Sequence, residues 1–279
     1  MKIDPNLILL VISSNEPVNP AVRTIGIILA SILFALLFLV FPIMLISEWL
    51  GMVPARKIRA RYRMYLGEFP IYNQLNPKDK IRFEKRVQTF INQKKFIPRS
   101  KGLVIDDRKK CMIAGTAVEL TFGLGKFNFD HFKTILIYSD NYYSQISKQY
   151  HQGEVNIRGL IVLSWSNFEK GNSDRRDGVN LGVHEIAHAL KLENKIVNRN
   201  YNFIDPQDYR AFEECFQTFS SGYGGGQGFL RDYGKTNIHE FFAVCCENFI
   251  ERPREFKRKA PDIYMIITRI LNQDPATYH

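Results

Sequence analysis

The sequence predicts an α+β fold, rich in helix and poor in strand, preceded by one N-terminal transmembrane helix. Three observations lead there. An uncharged apolar run of 22 residues lies near the N-terminus, from Ile25 to Ile46. Six downstream segments carry apolar residues at helical spacing. Only two short apolar runs, Thr134–Tyr138 (TILIY) and Gly159–Ser164 (GLIVLS), have the length and composition of strands.

Composition bounds the answer further. The chain has 279 residues, 45% of them hydrophobic, which fits one large domain or two small ones and excludes a disordered tail or a fibrous repeat. Four cysteines exclude a disulfide-built scaffold. A mean hydropathy of −0.20 excludes a polytopic membrane protein but leaves room for a single span. The net charge of +10 is uneven: residues 1–50 carry −1, so the other 229 carry +11. A basic domain suits polyanions. No nucleic-acid motif accompanies the charge, so no nucleic-acid partner is expected. A domain beside an anionic membrane is the simpler reading.

The run from Ile25 to Ile46 is about 33 Å long as a helix, enough for a hydrocarbon core of about 30 Å. Pro42 falls near its end, and Trp49 stands where an interfacial anchor belongs. The run starts too late and is too long for a cleaved leader, and no small-residue cleavage site follows. Arg56, Lys57, Arg59, Arg61 and Arg63 follow it, against Arg23 just before it. Positive charge stays inside, so the C-terminal side is expected in the cytoplasm of a single-pass protein. The expected organisation is a short segment 1–24, a transmembrane helix 25–47, a basic linker 48–65 and a folded domain 66–279.

Within that domain the expected helices are Lys78–Lys95, Lys109–Phe122 (ended by Gly123 and Gly125), Val179–Leu192, Gln207–Ser220, Asn237–Ile250 and Asp262–Leu271. Neither expected strand alternates, so both are expected to be covered on two faces. The glycine-rich stretch Ser221–Gly228 is too irregular for a phosphate cradle.

The chemistry concentrates in Asp177–Leu192, DGVNLGVHEIAHALKL, where His184, Glu185 and His188 form H-E-x-x-H. Helical residues four apart lie on one face, so both imidazoles can reach one Zn²⁺. Glu185 is about 100° further round, placed to act as a general base on a metal-activated water. A catalytic zinc needs a third protein ligand and an open position. Tyr233–Glu251, YGKTNIHEFFAVCCENFIE, offers His239, Glu240 and Glu247. Glu240 and Glu247 are seven apart on one helical face, and spacing alone does not choose among the three.

From about Arg63 to Pro275 the chain resembles the Mlc titration factor A family of zinc-dependent peptidases. The resemblance rests on FPIYNQL, GLIVLSW, DGVNLGVHEIAHAL, YGKTNIHEFFAV, a following Glu-Arg-Pro and a final Asn-Gln-Asp-Pro. The Tyr…Glu-Phe-Phe-Ala pattern is also similar to that of anthrax lethal factor. The resemblance implies a helix-rich, zincin-like metallopeptidase domain with a small sheet. It implies zinc held by His184, His188 and Glu240, with Glu185 as base and Tyr233 as an assisting hydroxyl. Glu247 becomes a residue of the helix face or one behind the ligands, and His239 a neighbour. A peptide or protein is the implied substrate, with the Leu160–Ser164 strand offering it an edge. The alternative is a membrane-tethered protein that captures a cytoplasmic transcriptional regulator. A closed structural zinc site is disfavoured, because the cysteines do not cluster with the histidines.

Overall fold

The computed structural model describes residues 20–49, 60–125, 127–144, 148–196 and 204–277. The chain divides into two units, Met1–Ala55 and Arg56–His279. In the first, Pro20–Trp49 forms one helix of 30 residues, α1. Ile25, Leu29, Ile32, Leu33 and Phe38 on it are all more than half exposed. The expected span 25–47 falls within α1. The side chains of residues 36, 37 and 39–49 lie outside the described residues, and among the described residues no helix is long and apolar enough to cross a membrane.

The second unit begins with α2 (Ala60–Leu66), α3 (Pro70–Gln74) and α4 (Pro77–Gln93), followed by β1 (Lys95–Pro98) and α5 (Asp107–Leu120). Then come β2 (Thr134–Tyr138), β3 (Tyr142–Ser144), β4 (Gln149–His151), β5 (Gly153–Asn156), β6 (Leu160–Ser164) and α6 (Trp165–Ser173). The remainder is α7 (Leu181–Ile196), α8 (Pro206–Ser220), α9 (Ile238–Glu251), α10 (Pro253–Lys259) and α11 (Pro261–Leu271). Residues 60–65, expected as linker, are helical instead, because Tyr62 and Leu66 of α2 are buried in the core.

Helix starts are chemically marked. Asn76 accepts from the Asp79 amide at 2.9 Å, with Pro77 in the first helical turn of α4. Asp106 accepts from the Lys109 amide at 2.8 Å to start α5, and Asp205 from the Gln207 amide at 2.7 Å to start α8. Each side chain satisfies an amide that the helix leaves unpaired.

The main sheet has the order β1-β2-β6-β5. β1, β2 and β6 run parallel, with Thr134 opposite both Lys95 and Leu160. β5 pairs antiparallel to β6, with Gly153 opposite Leu163. The strand Leu160–Ser164, expected at an edge, therefore lies between β2 and β5. Its Ile161 and Leu163 are fully buried, as an interior apolar strand requires. The edge is β5. A separate hairpin pairs β3 with β4.

Helix α7 packs against β5 and β6 and against α5, α6 and α9. It therefore carries its side chains into the centre of the unit, while α9 brings Phe241 into stacks with Phe212 and Phe219 at 5.0 Å each.

The C-terminal end of α5 is closed by a buried cation. The Arg86 guanidinium donates to the carbonyls of Thr121 at 2.6 Å, Phe122 at 3.2 Å and Phe127 at 3.0 Å, and to the Thr121 hydroxyl at 2.8 Å. Burial pulls its pKa down to about 10, so it stays charged at the negative end of the helix dipole. Arg86→Ala should lower stability by about 3 kcal/mol, since charge-assisted bonds are lost and buried carbonyls orphaned. That corresponds to a fall of about 6–12 °C in Tm. A thermal melt shifted by less than about 2 °C would remove Arg86 from this role.

Candidate metal centre

The start of α7 is fixed by Asn180, which is fully buried and accepts from the Val183 amide at 3.0 Å. One turn on, His184 and His188 stand on one face, with Nε2 atoms 3.0 Å apart. The start of α9 is fixed in the same manner. Asn237 accepts from the amides of His239 at 2.8 Å and Glu240 at 3.1 Å. Glu240 Oε2 thereby reaches 3.0 Å from His184 Nε2 and 3.4 Å from His188 Nε2. Among the described residues, His184, His188 and Glu240 form the one group of three donors close enough to hold a metal ion.

These three donors fit a divalent cation. The His184 Nδ1 sits 2.8 Å from Glu247 Oε1, so that nitrogen carries the proton and donates it, leaving Nε2 with its lone pair toward the cluster. Glu240 Oε2 is buried and, despite its closeness to both rings, receives no hydrogen bond of acceptable geometry. Three lone-pair atoms 3.0–3.4 Å apart repel unless protons or a cation bind them together. A tetrahedral zinc with bonds of about 2.0–2.1 Å separates its donors by about 3.3 Å, and two nitrogens with one oxygen are a hydrolytic zinc set.

The electrostatics carry the same sign. Burial disfavours charge on His184, but the carboxylates of Glu240 and Glu247 outweigh it and push its pKa up to about 10. Burial is likewise outweighed at Glu240, where the two imidazoles hold the carboxyl well below its usual range. The centre thus attracts positive charge.

Glu185 points to the other side of the cluster, against β5. It is 5% exposed. Burial, with help from Glu240, Glu154 and Glu247 and against His184, pushes its carboxyl up to about 8. A cation at the cluster acts in the opposite direction. Gly153 makes room for it: a Cβ at that position would overlap the Glu185 carboxylate. Tyr233 is half exposed at the rim, its ring 5.9 Å from that of His184. Burial and the nearby Glu240 carboxylate raise its pKa. All these groups border a cleft of about 890 Å³.

Of the three candidates that spacing left open, Glu240 joins the imidazoles. Glu247 lies behind His184, and His239 lines the cleft without joining the cluster. Two residues were not legible in the sequence. Arg231 donates to Glu247 Oε1 at 2.6 Å and lies 5.9 Å from the Tyr233 ring. Gly153 is the other; its only sequence signal is a glycine beginning a short polar strand.

The sequence profile of the glucose-regulated metallo-peptidase M90 family matches residues 52–271, and the chain belongs to that family. An uncharacterized protein of Synechocystis sp. is 27% identical over 79% of this chain and 86% of its own length. Mlc titration factor A of Escherichia coli is 24% identical over 74% of this chain and 83% of its own. The solved Pro-Pro endopeptidase of Paenibacillus alvei is similar over 65% of this chain and 98% of its own, at 15% identity and a TM-score of 0.41, too low to carry an argument.

Gly153→Ala should displace the Glu185 carboxylate while leaving the three donors in place. Bound metal should remain stoichiometric, and peptide cleavage should fall by about 10²-fold, as for a reacting group misplaced by about 1 Å. Unchanged cleavage by a metal-loaded Gly153→Ala protein would contradict the close approach.

Proposed function

We infer that the chain is a zinc-dependent peptidase, held at a membrane by residues 25–47 with its catalytic unit in the cytoplasm. The observation that carries the reading is the convergence of three lone-pair donors with a buried carboxylate beside them in an open cleft. Membership of a metallo-peptidase family supports it.

His184, His188 and Glu240 would hold the metal. Zinc there would supply a Lewis acid, lowering the pKa of a water and polarising a carbonyl. Glu185 takes the proton of the attacking water and passes it to the leaving amine. Tyr233 donates its hydroxyl proton in a hydrogen bond to the developing oxyanion. Glu247 keeps the proton on His184 Nδ1, so that Nε2 remains a donor of electrons. The substrate backbone aligns along β5, the edge strand whose Gly153, Glu154 and Val155 border the cleft. Burial of Glu185 away from bulk water keeps its proton transfers within the site.

Anchoring is supported by the sequence of α1, with no charged residue from Ile25 to Ile46, and by five basic residues between Arg56 and Arg63. The alternative reading, capture of a cytoplasmic transcriptional regulator, has less support. Glu185 beside the donors has a task in hydrolysis and none in capture.

Four variants of the full chain test the reading by metal analysis and peptide cleavage. Glu240→Gln should lose zinc and activity together. Glu185→Gln should keep zinc and lose cleavage by at least about 10³-fold. Tyr233→Phe should keep zinc and lose about 10²–10³-fold in kcat. Glu247→Gln should keep zinc, with affinity lowered about 10–100-fold. Full zinc in Glu240→Gln, or full activity in Glu185→Gln, would overturn the assignment.

A further inference from the structure

Beyond His188 the same face of α7 continues into a group that the chemistry above does not use. Lys191 lies three residues, about 4.5 Å, further along the helix axis, and Lys195 about 10.5 Å beyond His188 on nearly the same azimuth. Both border the cleft that holds the metal cluster, together with Asn194 and Tyr209. Lys191 is unusual for a lysine: it is 8% exposed. Its ammonium donates to the Ile238 carbonyl at a long 3.3 Å and lies 5.3 Å from the Tyr209 ring. Glu213 acts on it at longer range, but no carboxylate among the described residues forms an ion pair with it. An ammonium has three protons to donate, so two remain without an acceptor. Burial accordingly pulls its pKa down to about 8.

A buried cation without a counter-ion is costly unless something else supplies the charge. The cleft therefore carries at Lys191 a buried ammonium whose protons are not all matched by acceptors, with the exposed Lys195 one turn further along the helix. The distance of these two residues from the cluster is one to three residues of an extended peptide, at about 3.3 Å per residue.

We propose that Lys191, with Lys195, forms a carboxylate-binding subsite that selects peptides by an acidic group close to the cleaved bond. The carboxylate comes from an Asp or Glu side chain or from a free C-terminus; both present the same charge and acceptors. The proposal rests on the peptidase reading for its ligand, though its binding test does not need turnover.

The probes are three octapeptide pools of otherwise uncharged random sequence. The first has blocked ends and one Glu. The second has Gln in its place. The third is the Gln pool with a free C-terminal carboxylate. Each is titrated by fluorescence anisotropy into zinc-loaded full-length protein carrying Glu185→Gln. At least one carboxylate pool should bind about fivefold or more tighter than the blocked Gln pool, and which pool does so identifies the source. Adding Lys191→Met should bring that pool to within about twofold of the neutral one while zinc content stays unchanged. Lys195→Met, at an exposed position that cannot unfold the helix, should reduce the preference at least twofold. Equal binding of all three pools, or a preference untouched by both substitutions, would overturn the proposal. Cleavage of the same pools by protein with Glu185 intact separates the two readings. No cleavage with the binding preference intact removes the peptidase; cleavage without any preference removes the subsite.

Discussion

Glu247 is the side chain on which the rest of the site depends. It is a carboxylate 1% exposed, in the interior face of α9. Such a group is tolerable only when its oxygens are filled with donors. It accepts from the Asn180 amide at 2.6 Å, from His184 Nδ1 at 2.8 Å and from Arg231 Nη2 at 2.6 Å. Those three donors belong to the turn that starts α7, to α7 itself and to the turn that carries Tyr233. One buried charge thus fixes the tautomer of a histidine, the register of two helices and the entry of the segment bearing the phenol. The cluster of His184, His188 and Glu240 follows from that registration, because α7 and α9 meet at one place.

Around this centre, space and charge are divided between the two sides of α7. Toward β5 the helix presents Glu185, which fits only because residue 153 has no side chain. Along the rest of the cleft it presents the two imidazoles and then Lys191 and Lys195. A single helix therefore presents a buried carboxyl on one side and imidazoles followed by ammonium groups on the other. Its rigidity comes from burial of Val183, Ile186, Ala187, Ala189 and Leu190. The division explains why a helix with so many charged or titratable residues is nonetheless central to the core.

Much of this was legible in the sequence, for physical reasons. The expected helices Lys78–Lys95 and Lys109–Phe122 correspond to Pro77–Gln93 and Asp107–Leu120, since capping residues and apolar periodicity agree there. The H-E-x-x-H spacing is itself a helical geometry. Part of what was not legible comes from short strands. Lys95–Pro98, Gly153–Asn156 and the β3–β4 hairpin are three or four residues each, too short for a periodicity to register. For the same reason the sequence does not distinguish Leu160–Ser164 as an edge from Leu160–Ser164 as the interior strand that it is. The choice between Glu240 and Glu247 was open because a spacing of seven puts both on one face. Only the approach of α7 separates a residue beside Nε2 from one beside Nδ1.

The central claim is that α7 and α9 meet to make an open zinc centre of two imidazoles and one carboxylate. Zinc K-edge X-ray absorption on the purified full chain tests it most directly. The account predicts one zinc per chain, two imidazole nitrogens and oxygen donors at about 2.0–2.2 Å, and no sulfur. A sulfur shell at about 2.3 Å would place the metal on a cysteine and contradict the account, as would the absence of stoichiometric zinc.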